Sequence, residues 1–341
     1  MRLRNSIESS DRLLIRHNAP MLSTFLSSLA AILLTCGWAA AQSYPARPVR
    51  IIVPFPAGGG ADFMARAVGQ KLGDALGQSF VIDNRAGAAG IIGTELVAKS
   101  PPDGYTLLLG TTGTHATNPA VLRSVHYEPV KDFAPISIFA NAPFMLCVHP
   151  SLPVRNVREL ITFAKSHPGE LTYGSAGIGS STHLGFELFA LSAGIKIRHI
   201  PYKGLPLAMI DLVAGNTALV FDAIPSAMPH IRSGRVRVLA IGSLERSAAA
   251  PEVPTVSESG LPGYEMGSWY GLFAPAATPK DIVQRLAAET AKALSAADLR
   301  TRFKNLGADP IGLSTEDSVA LLGRELQRWS KVAKQAQVRA E

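Results

Sequence analysis

Residues 49–76 read VRIIVPFPAGGGADFMARAVGQKLGDAL, and this stretch decides the fold. VRIIV is a short, nearly continuous apolar run, the pattern of a strand buried on both faces. From 62 to 76 the apolar positions Phe63, Ala67, Val68, Leu72 and Leu76 fall on or near one side of a helix. Between strand and helix stand Gly58, Gly59 and Gly60, which let the backbone adopt positive φ and approach a ligand closely. The first amides of a helix have no internal partner and lie at the positive end of its dipole. Strand, glycine loop and helix start therefore make an anion trap that needs no charged side chain. Asp62, in the first turn, is placed to cap the helix.

A second loop of the same type lies at 173–183, YGSAGIGSSTH, where Ser175, Gly177, Ser180, Ser181 and Thr182 precede a helix that begins near His183. One hydroxyl suffices to cap a helix, and four exceed that need. A third candidate follows the apolar run in LLLGTTGTHATNP, where Thr111 and Thr112 occupy the strand end at which open α/β sheets bind ligands.

Around these loops, strand-like and helix-like segments alternate, as parallel sheets flanked by helices require. SFVIDN, the helical IIGTELVAK and YTLLLG complete a first α/β lobe. After the paired apolar stretches PISIF and FMLCVH, a second series runs through VRELITFAKSH, LTYGS, HLGFELFALSA, IRHIPY, LPLAMIDLVAG, ALVFDAI and RVRVLAIG. A proline-rich passage then leads to SWYGLFAPAATP and two helices, about 279–295 and 315–337. The last helix has no sheet of its own and is placed back on the first lobe. The expected architecture is two lobes joined by two crossing segments, with lobe 1 formed by 43–142 and 268–341 and lobe 2 by 143–267.

The chain has 341 residues, 47% hydrophobic and 17% charged, which suits a folded protein with a large core. Met21–Ala41 is an uncharged apolar run, preceded by Arg12 and Arg16 and ended by small residues. It reads as a secretory signal peptide (1–41) cleaved near Ala41/Gln42, so the mature protein is expected in the periplasm. The first 41 residues carry four arginines against Glu8 and Asp11, leaving 29 basic and 24 acidic side chains, net +5. That excess is dispersed, which suits small anions and argues against nucleic acid. Cys147 alone remains after cleavage, in an apolar strand where it packs rather than reacts.

Enzyme and nucleotide motifs fail. Phe63 stands where GxGxxG needs its third glycine, GxxxxGK[ST] is absent, and no serine lies in a GxSxG elbow. The eight histidines show no paired metal-ligand spacing. Ser180, His183 and Asp222 could be drawn as a hydrolytic triad, although nothing in their spacing asks for it.

Several ordered segments carry a family likeness: YPARPVRIIVPFPAGGGADFMAR, VIDNRAGAAGIIGTELVAKSPPDGYTLLLG, KDFAPIS, LTYGSAGIGSSTHLGFELF, HIPYKG and PEVPTVSESGLPGYEMGSWYGLFAP. The chain resembles the Bug, or TctC-type, receptors of tripartite tricarboxylate transporters from Tyr44 to about Val332. The resemblance implies a two-lobed Venus-flytrap fold of the type II periplasmic-binding-protein kind. It implies a monomer without cofactor or metal that takes a small carboxylate, of organic-acid or acidic amino-acid type, into the interlobe cleft. Membrane permease subunits are the implied partners, and a membrane sensor protein is the alternative. Carried over by motif, Phe55, Ala57, Gly58, Gly59, Gly60 and Asp62 form the first-lobe loop with Thr111 and Thr112 beside it. Ser175, Gly177, Ser180, Ser181, Thr182 and His183 form the second-lobe loop. Tyr202, Lys203, Gly204 and Asp222 complete the implied lining. Asp222, facing the cleft, would repel a second carboxylate. GAAG at 87–90 departs from the GAGG of many members.

Overall fold

Strand β1 (Val49–Val53) forms as its sequence dictates: Val49, Ile51, Ile52 and Val53 are fully buried, and Arg50 alone points to solvent. A computed structural model describes residues 44–123 and 125–338; the signal segment, its cleavage point and Cys36 lie outside them. β1 pairs in parallel with β2 (Phe80–Asn84) on one side and β3 (Thr106–Thr111) on the other. Helix α1 (Gly60–Leu76) returns the chain from β1 to β2 and ends at Gly77 in the left-handed region. Helix α2 (Ile91–Ala98) connects β2 to β3. These are the crossovers that parallel pairing demands.

After β3 the chain makes a one-turn π-helix (Gly113–Thr117) and a short helix α3 (Asn118–Val121). PISIF and FMLCVH then prove to be parts of one strand, β4 (Phe133–Val148). Asn141–Pro143 stays extended because it pairs with β9 (Gly267–Pro275). The C-terminal end of β4 leaves β9 and pairs instead with β7 (Leu219–Ala223) and β8 (Arg237–Ile241). One strand thus serves both halves of the molecule, and the strand order is β2-β1-β3-β9-β4-β7-β5-β6.

The second half continues with α4 (Val157–Ser166), β5 (Thr172–Ser175), α5 (Ser181–Ala193), β6 (Arg198–Pro201), α6 (Leu205–Val213) and, after β7, α7 (Ile224–Arg232). Sequence reading passed over α7, whose nine residues contain Pro225 and Pro229; Pro225 falls in the first turn, where its missing N–H costs nothing. β5, β6 and β7 are parallel, and the core on one face of this sheet gathers Phe144, Leu146, Tyr173, Phe186, Phe189, Phe221 and Tyr264. Free Cys147 is buried on the other face among Met145, Val220 and Met209.

The chain crosses back along a second segment. Met266 N–H donates to Gly242 O, and Gly242 N–H to Phe144 O, so the return path is hydrogen-bonded to β4 where β4 itself crosses. Helices α8 (Lys280–Ser295) and α9 (Ala297–Asn305) follow β9. A two-residue strand β10 (Asp309–Pro310) adds to β4, and α10 (Thr315–Gln335) closes the fold. Trp329, Val332 and Ala333 of α10 pack in one cluster with Ala116, with Val121 and with Leu184 of α5. No helix among the described residues is long and apolar enough to cross a membrane.

Candidate functional site

The N-termini of α1 and α5 face one cavity at the C-terminal ends of the parallel strands. In α1 the first intrahelical bond runs from Phe63 N–H to Gly59 O, so the amides of Gly60 and Ala61 stand free of the helix ladder. The N-cap Gly59 brings no side chain to occupy them. In α5, Ser180 is the N-cap, and its hydroxyl accepts from His183 N–H, which leaves Ser181 and Thr182 N–H before the ladder. Gly59, Gly60, Ala61, Thr111, Gly113, Ser180, Ser181, Thr182 and Ser268 supply the polar and backbone wall. Phe55, Pro56, Phe144, Ala176, Leu205, Pro206 and Tyr270 supply the apolar wall. Among the described residues no charged side chain lines the cavity.

The other expected residues support this wall from behind. Asp62 accepts from Gly58 N–H at 3.1 Å and from Arg66 Nε at 3.0 Å. Burial alone would push its carboxyl up, but these bonds hold it below the ordinary range. Its role is to fasten the glycine loop, while Ala57 and Gly58 are exposed on the loop's outer side. Ser175 Oγ accepts from Gly177 N–H and lies 2.6 Å from His199 Nε2. His183 stacks on His199 at 3.9 Å between ring centres, and its Nδ1 accepts from Gly179 N–H at 3.2 Å. That bond requires a neutral ring with its proton on Nε2, and burial, reinforced by His199, lowers the His183 pKa to about 3.

Thr112 turns to the reverse side of the crossing strands, where its Oγ1 accepts from Trp269 N–H. Tyr202 points its hydroxyl away, donating to Asp211 Oδ2 at 2.7 Å, and Lys203 is exposed. Asp222 is 1% exposed and shares the strand face of Val220 rather than lining the cavity. The triad is not assembled: Ser180 Oγ meets Thr182 Oγ1 and the His183 amide, and the His183 ring is engaged elsewhere.

Asp222 Oδ1 accepts from Ala223 N–H, but Oδ2 has no partner among the described residues. Burial raises its pKa from 3.8 to about 7. The unfolded carboxyl ionises near pH 4 while the folded one keeps its proton to about 7, so stability falls as pH rises through that window, by up to about 4 kcal/mol. Asp222→Asn should therefore melt higher than the wild type at pH 8, with the gain shrinking toward pH 4; calorimetric scans at the two pH values check this.

The two halves meet at glycines. An added Cβ at Gly204 would lie 2.6 Å from Pro56 Cδ, one at Gly177 3.3 Å from Ala89 Cβ, and one at Gly179 2.9 Å from Leu122 Cδ1. All three glycines have positive φ. Loop residues of the first half thus seat where the second half has no side chains, and the cleft is closed. Ala89 adopts φ +52 and accepts from Asn118 Nδ2 through its carbonyl.

Three of the site's missed members have a common origin. Tyr270 and Ser268 sit on β9, and Phe144 on β4, so the crossing strands form the cavity floor. SWYGLF carried the signal in its alternation, but strand pairing was needed to show which side faced inward. Tyr270 is 3% exposed, and its Oη would lie 2.8 Å from a Cβ at Gly60, beside the free amides of α1. Burial, then the nearby Asp222, raises its pKa, so the hydroxyl remains a donor.

A two-lobed α/β protein whose lobes meet at a cavity lined by helix N-termini has the architecture of a periplasmic-type solute-binding protein. The family model for the tripartite tricarboxylate transporter family receptor matches residues 64–338, and the chain belongs to that family. It is 38% identical over 318 residues to Protein BugT of Bordetella pertussis, covering 92% of this chain and 98% of BugT. Among solved structures it is similar to Rpa4515 of R. palustris with adipate, at 41% identity, TM-score 0.84, and coverage of 87% of this chain and 99% of that one. It is also similar to the periplasmic binding protein BugD, at 34% identity, TM-score 0.82, and coverage of 87% and 100%.

Proposed function

We propose that the mature protein is a monomeric periplasmic receptor that captures a small carboxylate, of organic-acid or acidic amino-acid type, in this cleft and delivers it to the permease of a tripartite tricarboxylate-type transporter. The observation that carries the reading is the pairing of two helix N-termini, α1 and α5, with free amides and hydroxyls around a cavity that contains no charged side chain. Such a wall stabilises one carboxylate by oriented dipoles and hydrogen bonds rather than by a salt bridge. Export follows from residues 1–41 acting as a signal peptide. Lobe 1 comprises 43–142 with 268–341 and lobe 2 comprises 143–267, and β4 and the strand entering β9 act as the hinge. Of the residues expected from sequence, Phe55, Gly59, Gly60, Thr111, Ser180, Ser181 and Thr182 contact the ligand, and Asp62, Ser175, Gly177, His183 and Gly204 shape the loops that do so. The closed form is the one that docks on the permease.

Tyr270 joins the contact set. Its hydroxyl stands beside the amides of Gly60 and Ala61 and near Ser268, placed to donate to the carboxylate. Tyr270→Phe is expected to weaken binding about tenfold, the value of one hydrogen bond to a charged group, with little change in the melting temperature of the ligand-free protein; titration calorimetry reads the first and a thermal scan the second. For delivery, immobilised receptor should retain permease subunits from membranes of the source cell only when a bound carboxylate is present. Retention of a sensor protein instead would reassign the partner.

A further inference from the structure

We infer that the protein takes up a proton on Asp222 when it captures its carboxylate, so that capture weakens in alkaline solution. Given the carboxylate-receptor role proposed above, the charge of the bound acid is felt by this group behind the cavity wall. Asp222 directly precedes Ala223, whose Cβ would lie 3.0 Å from a Cβ at Gly60, the first residue of α1. Tyr270 Oη would lie 2.8 Å from that same atom, and the charge of Asp222 reaches the Tyr270 hydroxyl. The anion position at the start of α1, Tyr270 and Asp222 are therefore near neighbours. Asp222 is 1% exposed; its Oδ1 accepts from Ala223 N–H, and its Oδ2 has no partner among the described residues. An ionised carboxylate so buried, with neither a paired cation nor a full set of donors, is costly.

The other ionisable groups around the wall are fixed in one state. Asp62 is paired with Arg66 at 3.0 Å, which holds its carboxyl below the ordinary range against its burial. Behind α5, burial lowers the pKa of His183 to about 3 and that of His199 to about 4, so both rings are neutral. Glu187, pushed up by burial, receives the Tyr173 hydroxyl. Cys147 on β4 and Tyr270 on β9 are pushed up by burial and then by Asp222, and both keep their protons. Asp211 on α6 is bonded to Tyr202, and His230 and Arg232 lie in the last turn of α7, at the opposite end from Asp222. Asp222 itself is raised by burial to about 7, its bonds from Ser226 and Ala223 offsetting only part of that rise. A bound anion repels the ionised form and raises this value further, so the loaded protein holds the proton to higher pH than the empty one and binding takes a proton up in between. Two like charges about 10 Å apart at an effective dielectric near 20 shift an equilibrium roughly tenfold. Affinity is thus full where Asp222 is protonated in both states and about tenfold lower where it is ionised in both.

The test is calorimetric titration of the mature protein with adipate, malate, succinate and glutamate, whose carboxyl groups are already ionised near neutral pH. Each is run in HEPES and in Tris, buffers of different ionisation enthalpy. For an acid that binds, the heats at about pH 7.5 should differ between the buffers by the uptake of roughly half a proton. The affinity should fall about fivefold or more from about pH 6.5 to about pH 8.5. Asp222→Asn should show buffer-independent heat and a flat affinity over that range, whereas Glu187→Gln should keep the uptake. Buffer-independent heat in the wild type, uptake that persists in Asp222→Asn, or uptake that vanishes in Glu187→Gln alone would overturn the assignment and leave the carboxylate receptor standing. Silence from all four acids would remove both.

Discussion

Gly60→Ala is expected to lower ligand affinity by at least a hundredfold while leaving the fold intact. Gly60 is the first residue of α1 and is helical, so alanine is compatible with its backbone and adds helix propensity worth roughly 0.5–1 kcal/mol. The new methyl, however, would lie 2.8 Å from Tyr270 Oη and 3.0 Å from Ala223 Cβ, inside normal contact distance on two sides. Tyr270 Oη is the far end of a side chain and can swing aside only within its packed site, whereas Ala223 ends β7 and gives way only if that strand moves. The methyl both crowds the anion position and wedges the lobes apart there. Titration calorimetry measures the loss, and unchanged ligand-free melting separates it from misfolding. Full affinity in Gly60→Ala would show that the ligand does not sit at the α1 N-terminus.

Gly204→Ala acts at the rim and should be comparably damaging, by at least tenfold in affinity. Gly204 has φ +149, a conformation that side chains rarely adopt, so alanine there costs about 1–3 kcal/mol of strain. Its Cβ would also overlap Pro56 Cδ and Cγ, each at 2.6 Å. The pyrrolidine ring is rigid and lies at the tip of the first glycine loop, so relief comes by opening the cleft. A protein that must open to relieve this overlap binds with an affinity reduced by the fraction still able to close. The expected signature is a larger radius of gyration by small-angle scattering in the presence of ligand than the wild type shows.

β1, β3 and β7 were readable because they are buried and so spell near-continuous apolar runs, as in VRIIV, while the edge strands β2 and β6 are only half-buried. The two loops were readable as strand-to-helix turns because glycine, serine and threonine gather between an apolar run and a helix start. What the sequence concealed depended on pairing across long separations. β4 looked like two strands because Asn141 and Pro143 interrupt its apolar pattern, and only partnership with β9, more than a hundred residues away, holds it as one. The same pairing turns Tyr270, Ser268 and Phe144 into the cavity, while a one-residue difference in facing sends Thr112 and Asp222 elsewhere. Asp62, Ser175 and His183 were expected to contact ligand from their position in the loops; their hydrogen bonds to Gly58, Gly177 and Gly179 show that each fixes a glycine amide, a role that composition alone does not distinguish from contact with ligand. α7 was hidden by its two prolines.

The account stands most directly on whether small carboxylates bind between α1 and α5. Thermal melting of the wild type and of Gly60→Ala, each with a panel of mono- and dicarboxylates, measures this in one experiment. At a ligand concentration a hundred times the dissociation constant the folded state gains about 2.7 kcal/mol, or roughly 5 °C for a domain of this size. The account predicts such a shift for at least one acid in the wild type and its loss in Gly60→Ala. No shift with any acid, or a shift that survives the substitution undiminished, would contradict it.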